Sequence, residues 1–395
     1  MTTRVLVLDA NQRSALAITR SLGKDPNITV LTADDTDTAL AGASRFSSQY
    51  LKCPSPEHEP GAFIDWLTAT LKIHGIKQLF PATEISSYLC LMHREQLLPC
   101  QLPFPALDTV LSLADKGRLV ALARELGVSH PESRLVIGAE QFDPNAIDRY
   151  PVILKPCLSR RWIGNGWLST SVHLARSREE ARRLIETLPY LRHHPFMVQA
   201  FIPGSGAGVF ALYNQGKAVT FFAHKRLREK PPTGGVSVLS ESAPLDPRLL
   251  DMSRRLLDHA QWHGVAMVEF RVTPEGEPYL MEVNPRFWGS LQLAIDCGLD
   301  FPHLLFEMGQ GKTPTPPANY PIGQRLRWLM GDLDSLYLTL RNSRDFSKTQ
   351  RLRRALAFLN PGLGTTRYEV NRLGDLGPAR YELVQYLRDL LRLNR

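Results

Sequence analysis

The segment from Pro278 to Gly289 reads PYLMEVNPRFWG, and it decides which fold this chain can adopt. It places Glu282, Asn284 and Arg286 at alternate positions after the apolar run at residues 279–281. Because an extended strand directs alternate side chains to one face, we expect a carboxylate, an amide and a guanidinium to lie side by side. Carboxylate and amide oxygens are ligands that Mg²⁺ prefers, and a guanidinium can bind a phosphoryl group.

A second strand-like run precedes this segment and carries another carboxylate. Glu269 lies in VAMVEFRV, and the intervening residues, TPEGEP, are typical of a turn. A hairpin would bring Glu269 beside Glu282 and Asn284. The sequence therefore predicts a metal site that faces a nucleotide triphosphate.

This constellation resembles the ATP-grasp superfamily, whose last strands carry an E…ExNPR pattern of this kind. Within the superfamily it is similar to the branch that contains carbamoyl-phosphate synthase, D-aspartate ligase and related carboxylate–amine ligases. The resemblance implies that ATP is bound and that Glu269, Glu282 and Asn284 hold Mg²⁺, one or two ions, with Mn²⁺ as a substitute. It also implies that Arg286 contacts the transferred phosphoryl group.

Two lysines upstream match positions that bind ATP phosphates in this superfamily, and a loop after them departs from the family's glycine-richer form. Lys116 lies in a predicted helix at residues 112–133, and Lys155 ends the predicted strand PVILKP. A lysine is a suitable point charge for phosphate oxygens. Gly164 and Gly166 could offer backbone N–H groups to the phosphates, although Gly-Asn-Gly also fits a tight hairpin turn.

The stretch at residues 196–227 resembles the region that binds adenine. The expected contacts there are Gln199, Ala200, Phe201 and Ile202. The acidic residue that holds the ribose in many relatives has no counterpart at residues 206–208. Lys225 and Arg226 are candidate catalytic residues for the γ-phosphate or the acyl phosphate, Lys225 by resemblance and Arg226 by its bidentate guanidinium.

The N-terminal third alternates strand-like and helical patterns, which predicts a parallel α/β layer. The apolar runs lie at residues 4–9, 27–35 and 76–83. The first turn, LDANQRSA, lacks the G-x-G-x-x-G pattern, so a dinucleotide site has weak support. Thr83 and Glu84 follow the third run, where open α/β sheets bind ligands, and they are candidates for substrate contact. The alternative for Thr83 is a helix cap.

We expect an α/β protein, of the α+β ATP-grasp type, with three regions. The resemblance implies a Rossmann-like parallel-sheet domain at residues 1–110. It implies an ATP-grasp domain at residues 111–313, in which two α+β subdomains enclose ATP and a lid lies at about 150–208. A proline-rich stretch, PTPPAN, then precedes a helical, arginine-rich accessory region at residues 314–395 that shows no catalytic pattern.

Composition restricts the class of protein. Of the 395 residues, 43% are hydrophobic and 22% are charged, as in ordinary globular proteins. The sequence lacks an apolar run of about 20 residues and a signal-peptide pattern at its start, so we expect a cytoplasmic protein without membrane contact. Five cysteines without C-x-x-C spacing indicate reduced thiols. The net charge of +8 comes without a nucleic-acid-binding motif, so no nucleic acid is expected.

The function that the resemblance implies is Mg-dependent, ADP-forming ligation of a small-molecule carboxylate to an amine through an acyl phosphate. Ligases of this type are often dimers, so a homodimer is also an expectation. An ATP-grasp carboxylase and a small-molecule kinase remain alternatives. A nucleotide-binding regulatory or scaffold protein without turnover is the alternative from another class. The sequence does not indicate which carboxylate or amine is used.

Overall fold

The computed structural model of the chain describes residues 2–360, 362 and 364–393. The strands are β1 (Thr3–Val7), β2 (Ile28–Asp34), β3 (Gln49–Lys52), β4 (Gln78–Phe80), β5 (Ser133–Val136), β6 (Val152–Pro156), β7 (Arg160–Trp162), β8 (Trp167–Ser169), β9 (His173–Ala175), β10 (Phe196–Ala200), β11 (Ser205–Asn214), β12 (Lys217–Lys230), β13 (Val236–Ser242), β14 (Gly264–Val272), β15 (Pro278–Asn284), β16 (Arg325–Arg327) and β17 (Thr366–Tyr368). The helices are α1 (Arg13–Leu22), α2 (Pro60–His74), α3 (Glu84–Met92), α4 (Leu107–Ala114), α5 (Lys116–Glu125), α6 (Arg178–Thr187), α7 (Pro189–His193), α8 (Pro247–His259), α9 (Leu291–Asp296), α10 (Phe301–Gly309), α11 (Leu329–Arg341), α12 (Lys348–Leu359) and α13 (Gly377–Leu393).

The N-terminal sheet is parallel, as the strand–helix alternation predicts. Its strand order is β3-β2-β1-β4. The carboxyl ends of β1 and β4 are tied together by Asp9, which accepts hydrogen bonds from the backbone N–H groups of Ala82 and Thr83 at 2.8 Å each. This tie fixes one wall of the cleft described below.

Two further sheets form the centre of the molecule. A small antiparallel sheet has the order β5-β10-β6-β9. It shares a hydrophobic core with α6 and α7. A larger sheet has the order β15-β14-β11-β12-β13-β16-β17. The mixed α/β architecture and the parallel N-terminal sheet are thus as predicted. The site lies where the three sheets approach one another.

The helix that the sequence predicts at residues 112–133 is shorter and begins later. Asp115 separates α4 from α5, and its carboxylate accepts hydrogen bonds from the N–H groups of Gly117 and Arg118 at 2.9 and 3.1 Å. An aspartate that caps a helix in this way stabilises a new helix start. The break positions Lys116 in the first turn of α5, where it is buried, lines neither of the cavities described below and reaches Glu282 with its Nζ atom.

The C-terminal region joins the body of the protein more closely than an accessory tail would. β16 pairs with β13, and β17 extends the same sheet. The buried side chain of Arg20 on α1 donates a hydrogen bond to Asp375 at 2.8 Å. Among the described residues, no helix combines the length and the apolar character that crossing a membrane would require.

Candidate active site

The two predicted metal-binding carboxylates lie directly opposite each other on neighbouring strands. Glu269 on β14 pairs with Glu282 on β15, and Met267 pairs with Asn284. The amide nitrogen of Asn284 donates to Glu269 Oε1 at 2.9 Å and contacts Glu282 Oε1 at 3.3 Å. The turn between the strands therefore produces the register that the sequence predicts.

Two buried lysines flank Glu282. The Nζ atoms of Lys116 and Lys155 each lie 3.6 Å from Glu282 Oε2. Lys155 Nζ also donates to the carbonyl oxygen of Met281 at 2.8 Å. The lysines come from α5 and β6, so three separate chain segments bring one carboxylate and two ammonium groups together.

Two arginines hold the other groups of the site. Arg226 Nη2 on β12 lies 2.6 Å from Glu269 Oε2. Arg286 Nη2 donates to Asn284 Oδ1 at 3.3 Å and lies 3.6 Å from Glu84 Oε1 at the start of α3. Arg286 therefore connects the strand that carries the site to the N-terminal domain.

The surroundings shift the pKa values of the two carboxylates in opposite directions. Burial raises the pKa of Glu269, and the charge of Glu282 raises it further, although Arg226 opposes both effects. Burial would also raise the pKa of Glu282, but Lys155 and Lys116 bring it down to about 2. Glu282 is therefore the firmly ionised member of the pair.

The donor set fits a magnesium ion. Two carboxylates and one amide converge on a single point, and hard oxygen ligands of this kind suit Mg²⁺. In the structure the amide nitrogen of Asn284, a positively polarised donor, lies between the carboxylates. A rotation of that amide about its terminal bond would present its oxygen to a cation instead.

Two cavities meet at these residues. The first, which we call the strand cavity, has a volume of about 980 Å³, and its walls include Lys155, Gln199–Ile202, Arg226 and Glu269. The second, which we call the N-terminal cavity, has a volume of about 730 Å³, and its walls include Asp9, Asp34, Asp35, Glu57, Glu84 and Arg160. Glu282, Asn284 and Arg286 line both cavities. The three side chains thus stand between a compartment of nucleotide size and a second compartment.

Comparisons with known proteins find a matching family model and solved structures with a similar fold. A family model described as "ATP-grasp in the biosynthetic pathway with Ter operon" matches residues 192–331. Biotin carboxylase from Campylobacter jejuni, solved with β,γ-ATP, superposes with a TM-score of 0.63 at 14% identity, over 81% of this chain and 74% of its own. The chain has the ATP-grasp fold.

Other solved structures show the same likeness. L-amino acid ligase from Bacillus licheniformis superposes with a TM-score of 0.58 at 16% identity, over 78% of this chain and 74% of its own. N5-carboxyaminoimidazole synthetase from Staphylococcus aureus superposes with a TM-score of 0.62 at 13% identity, over 87% of each chain. A search of curated protein sequences finds no match. The predicted ATP-grasp fold is confirmed, whereas the predicted branch of ligases stays a prediction.

The segment predicted to bind adenine lines the strand cavity. Gln199 donates to Ser133 Oγ at 2.9 Å through Nε2, and its buried Oε1 has no hydrogen-bond partner among the described residues. The N–H of Ala200 already donates to Glu132 at 2.8 Å, so that group is occupied within the fold. The remaining candidates for contact with adenine are the side chain of Gln199 and the backbone of Phe201 and Ile202.

Lys225 does not lie at the cleft. His224 and Arg226 line the strand cavity, and Lys225 between them is exposed on the other face of β12. Adjacent residues of a strand face opposite sides, so Lys225 and Arg226 could not both line the strand cavity. Of the two, it is Arg226 that lines the strand cavity.

Gly164 and Gly166 lie outside both cavities. They belong to the tight turn that joins β7 to β8, where the N–H of Ile163 donates to the Gly166 carbonyl oxygen at 3.0 Å. Trp167 in this hairpin packs against the N-terminal core and donates to the Pro56 carbonyl oxygen at 3.2 Å. Gly164 and Gly166 therefore form the tight hairpin turn that the sequence analysis gave as the alternative. This turn places them away from the predicted phosphate site.

The sequence interpretation missed most of the N-terminal cavity. Asp9 follows β1 and Asp34 ends β2 at the same sheet edge as Thr83 and Glu84, and Arg160 approaches from β7. Thr83 itself caps α3 by accepting from the N–H of Ser86 at 3.3 Å. The rule that ligands bind at the carboxyl ends of parallel strands would have indicated both aspartates.

Proposed function

We propose that the protein is an ADP-forming, ATP-dependent ligase that joins a carboxylate to an amine through an acyl phosphate. The observation that supports this most is the meeting of the two cavities at Glu282, Asn284 and Arg286. A ligase of this kind needs the γ-phosphate at the boundary between a nucleotide site and a substrate site. The ligases and the carboxylase named above share the fold, which is consistent with this reaction class.

On the nucleotide side, the adenine would lie against residues 199–202 and the phosphates near Lys116 and Lys155. Glu269, Glu282 and Asn284 would hold Mg²⁺, which neutralises phosphate charge when bound. Glu229 also lines this cavity, 3.4 Å from Arg226. We assign to it the ribose contact that the sequence lacks at residues 206–208.

On the substrate side, the carboxylate would enter through the N-terminal cavity and approach the γ-phosphorus. Its oxygen forms a bond to phosphorus while the bond to ADP breaks, and Arg286 stabilises the charge on the transferred group. The amine nitrogen then attacks the acyl carbon, inorganic phosphate leaves, and the amine loses a proton. Catalysis would rest on positioning and on charge balance.

The walls of the N-terminal cavity favour an amine as the second substrate. Asp34, Asp35 and Glu57 supply negative charge there. Burial raises the pKa of Asp34 to about 6, a rise that Asn11 opposes and that the carboxylate of Asp9 reinforces. A cationic ammonium group would relieve this accumulation of negative charge before it loses its proton to react.

An assay for ADP release tests the proposal. Purified protein with Mg-ATP would be screened against panels of carboxylates and amines, with products identified by mass spectrometry. ADP and phosphate formed with a new amide in equal amounts would support the ligase. ADP with a phosphorylated product would support the kinase, a bicarbonate-dependent carboxylated product would support the carboxylase, and ATP binding without turnover would support the scaffold.

A further inference from the structure

Helix α12 directs a stripe of leucines into solvent. Leu352, Leu356 and Leu359 are 61%, 59% and 74% exposed, and none of the residues of α12 is buried. Their spacing of four and three residues places them on one face of the helix. Apolar side chains grouped in this way on a surface mark a site of interaction.

The opposite face attaches α12 to the protein. Arg327 stacks on the ring of Phe358 at 4.4 Å from its centroid, and Arg354 forms an ion pair with Asp332. Ser347 and Gln350 form a capping box at the start of the helix. The helix is therefore held in an orientation that presents the leucines outward.

Basic side chains surround the leucine stripe. Residues 341–354 contain six Lys or Arg and a single acidic residue, Asp345, which gives this segment a net charge of +5. Arg344, Lys348 and Arg353 are exposed. An amphipathic helix with an apolar face and a basic border is typical of binding at an anionic membrane surface.

Helix α13 adds a second apolar stripe in the same region. Leu383, Leu387 and Leu391 are 47%, 50% and 68% exposed at a spacing of four residues. The other side of α13 is attached to the body, because Tyr386 donates to Asp334 Oδ1 at 2.6 Å. Helix α11 contacts both α12 and α13, so the two stripes lie on helices that share a neighbour.

We propose that α12 binds an anionic lipid surface, with the leucines of α13 as a second apolar contact. A second copy of the chain is the less suitable occupant, because two segments of charge +5 would repel each other. A nucleic acid would match the charge but would leave the leucines without a function. Anionic lipid satisfies both features, since headgroups pair with the basic side chains and the acyl region accepts the leucines. This revises the expectation of no membrane contact and requires no membrane-spanning helix.

Vesicle flotation with the full chain tests this proposal. We expect the protein to float with vesicles of phosphatidylcholine and phosphatidylglycerol, to remain unbound with phosphatidylcholine alone, and to dissociate in high salt. Replacing Arg344, Lys348 and Arg353 by Gln should weaken partitioning roughly a hundredfold, because each basic side chain near an anionic surface contributes about 1 kcal/mol.

The leucines give the more specific comparison. The triple variant Leu352→Ser, Leu356→Ser, Leu359→Ser should lose at least roughly tenfold in vesicle partitioning, because it removes the apolar burial. A control triple, Ile73→Ser, Leu98→Ser, Ile137→Ser, changes side chains that are at least half exposed elsewhere and should float like the wild type.

Three results would overturn the proposal. The first is a failure of the wild type to bind anionic vesicles. The second is unchanged vesicle binding by the leucine variant, which would show that the leucines take no part in the contact and that binding is purely electrostatic. The third is a wild-type dimer, seen by light scattering, that only the leucine variant disperses, which would assign the surface to a second copy. None of these depends on ligase turnover.

Discussion

At the scale of single residues, Glu282 has two roles in this structure. It lies 3.6 Å from two buried ammonium groups, and it also borders both cavities. Lys155 is held between this carboxylate and the Met281 carbonyl, and burial lowers its pKa. A lysine positioned in this way is ready to bind a phosphate oxygen without first reorganising.

Replacing Lys155 by Gln should therefore weaken ATP binding by roughly tenfold to a hundredfold, the effect of a charge-assisted hydrogen bond. Isothermal titration of ATP in the presence of Mg²⁺ would measure it. Lys225→Gln is the matched control, because Lys225 is exposed on the opposite face of β12, and its affinity should stay within about twofold of the wild type. Equal losses in the two variants would contradict the placement of the phosphates.

His224 predicts how stability depends on pH. Burial, reinforced by Arg226, lowers its pKa to about 3, so the folded protein keeps this histidine neutral. The ordinary pKa of a histidine is about 6.5. As the pH falls below this value, the unfolded chain takes up a proton that the folded chain does not, and the free energy of unfolding decreases. Between pH 6.5 and pH 5 the loss from this group should reach about 2 kcal/mol.

Urea unfolding at several pH values would measure this loss. His224→Gln removes the titrating group and should show a shallower decrease in unfolding free energy over the same range. Other histidines titrate in both proteins, so the difference between the two curves isolates His224. Identical slopes for variant and wild type would exclude the interpretation.

At the scale of elements, the hairpin of β7 and β8 differs in position from the phosphate-binding loop that was predicted. Its tip glycines lie away from the strand cavity, and its tryptophans pack against the N-terminal core. Trp162 and Trp167 lie edge to face, with their ring centroids 5.2 Å apart. The hairpin therefore closes one side of the N-terminal cavity.

Trp167→Ala should release this hairpin. Amide hydrogen exchange in residues 157–171 should become at least roughly tenfold faster, because the local opening energy falls by more than about 1.4 kcal/mol. Trp167→Phe keeps an aromatic ring and should show a smaller effect.

In contrast, Gly166→Ala should leave ATP affinity unchanged, because no atom lies within 4 Å of the added carbon. A large loss of ATP affinity in Gly166→Ala would restore the original prediction for the glycines.

At the scale of the whole molecule, the C-terminal region is tied to the N-terminal domain by buried charges. Asp375 accepts from Arg20 Nε at 2.8 Å, from Ser44 Oγ at 2.7 Å and from the N–H of Arg45 at 2.9 Å. Arg20 and Asp375 are both almost fully buried. Removing one charge from such a pair leaves the other without compensation.

Asp375→Asn should therefore lower the unfolding free energy by about 3 kcal/mol, within the range for a broken buried pair. Asp389→Asn changes an exposed aspartate on α13 and should alter it by no more than about 0.5 kcal/mol. Urea denaturation of both variants gives the comparison. A result of equal, small losses would indicate that residues 314–395 are an accessory region that contributes little to the stability of the rest of the protein.

The site could be predicted from sequence where its residues share a hairpin. Glu269, Glu282, Asn284 and Arg286 lie close in the chain, and strand periodicity determines which of them share a face. Lys225 and Arg226 were both predicted, but the same periodicity places adjacent residues on opposite faces, and only Arg226 of the two lines the strand cavity.

Residues that meet only through distant chain segments were harder to predict. Asp375 reaches Arg20 across more than 350 positions, and nothing local in either segment indicates the pair. The sequence indicated only a helical, arginine-rich region at residues 314–395, because composition alone does not tell which side of an amphipathic helix packs inward.

The most direct test of the central claim is a crystal structure of the protein with Mg²⁺ and a non-hydrolysable ATP analogue. We predict that the adenine will lie against Gln199 and residues 200–202, and that the terminal phosphate will lie between Lys155 and the pair of Glu269 and Glu282, next to Arg286. A nucleotide bound at the N-terminal sheet, or with its phosphates away from these four side chains, would contradict the assignment.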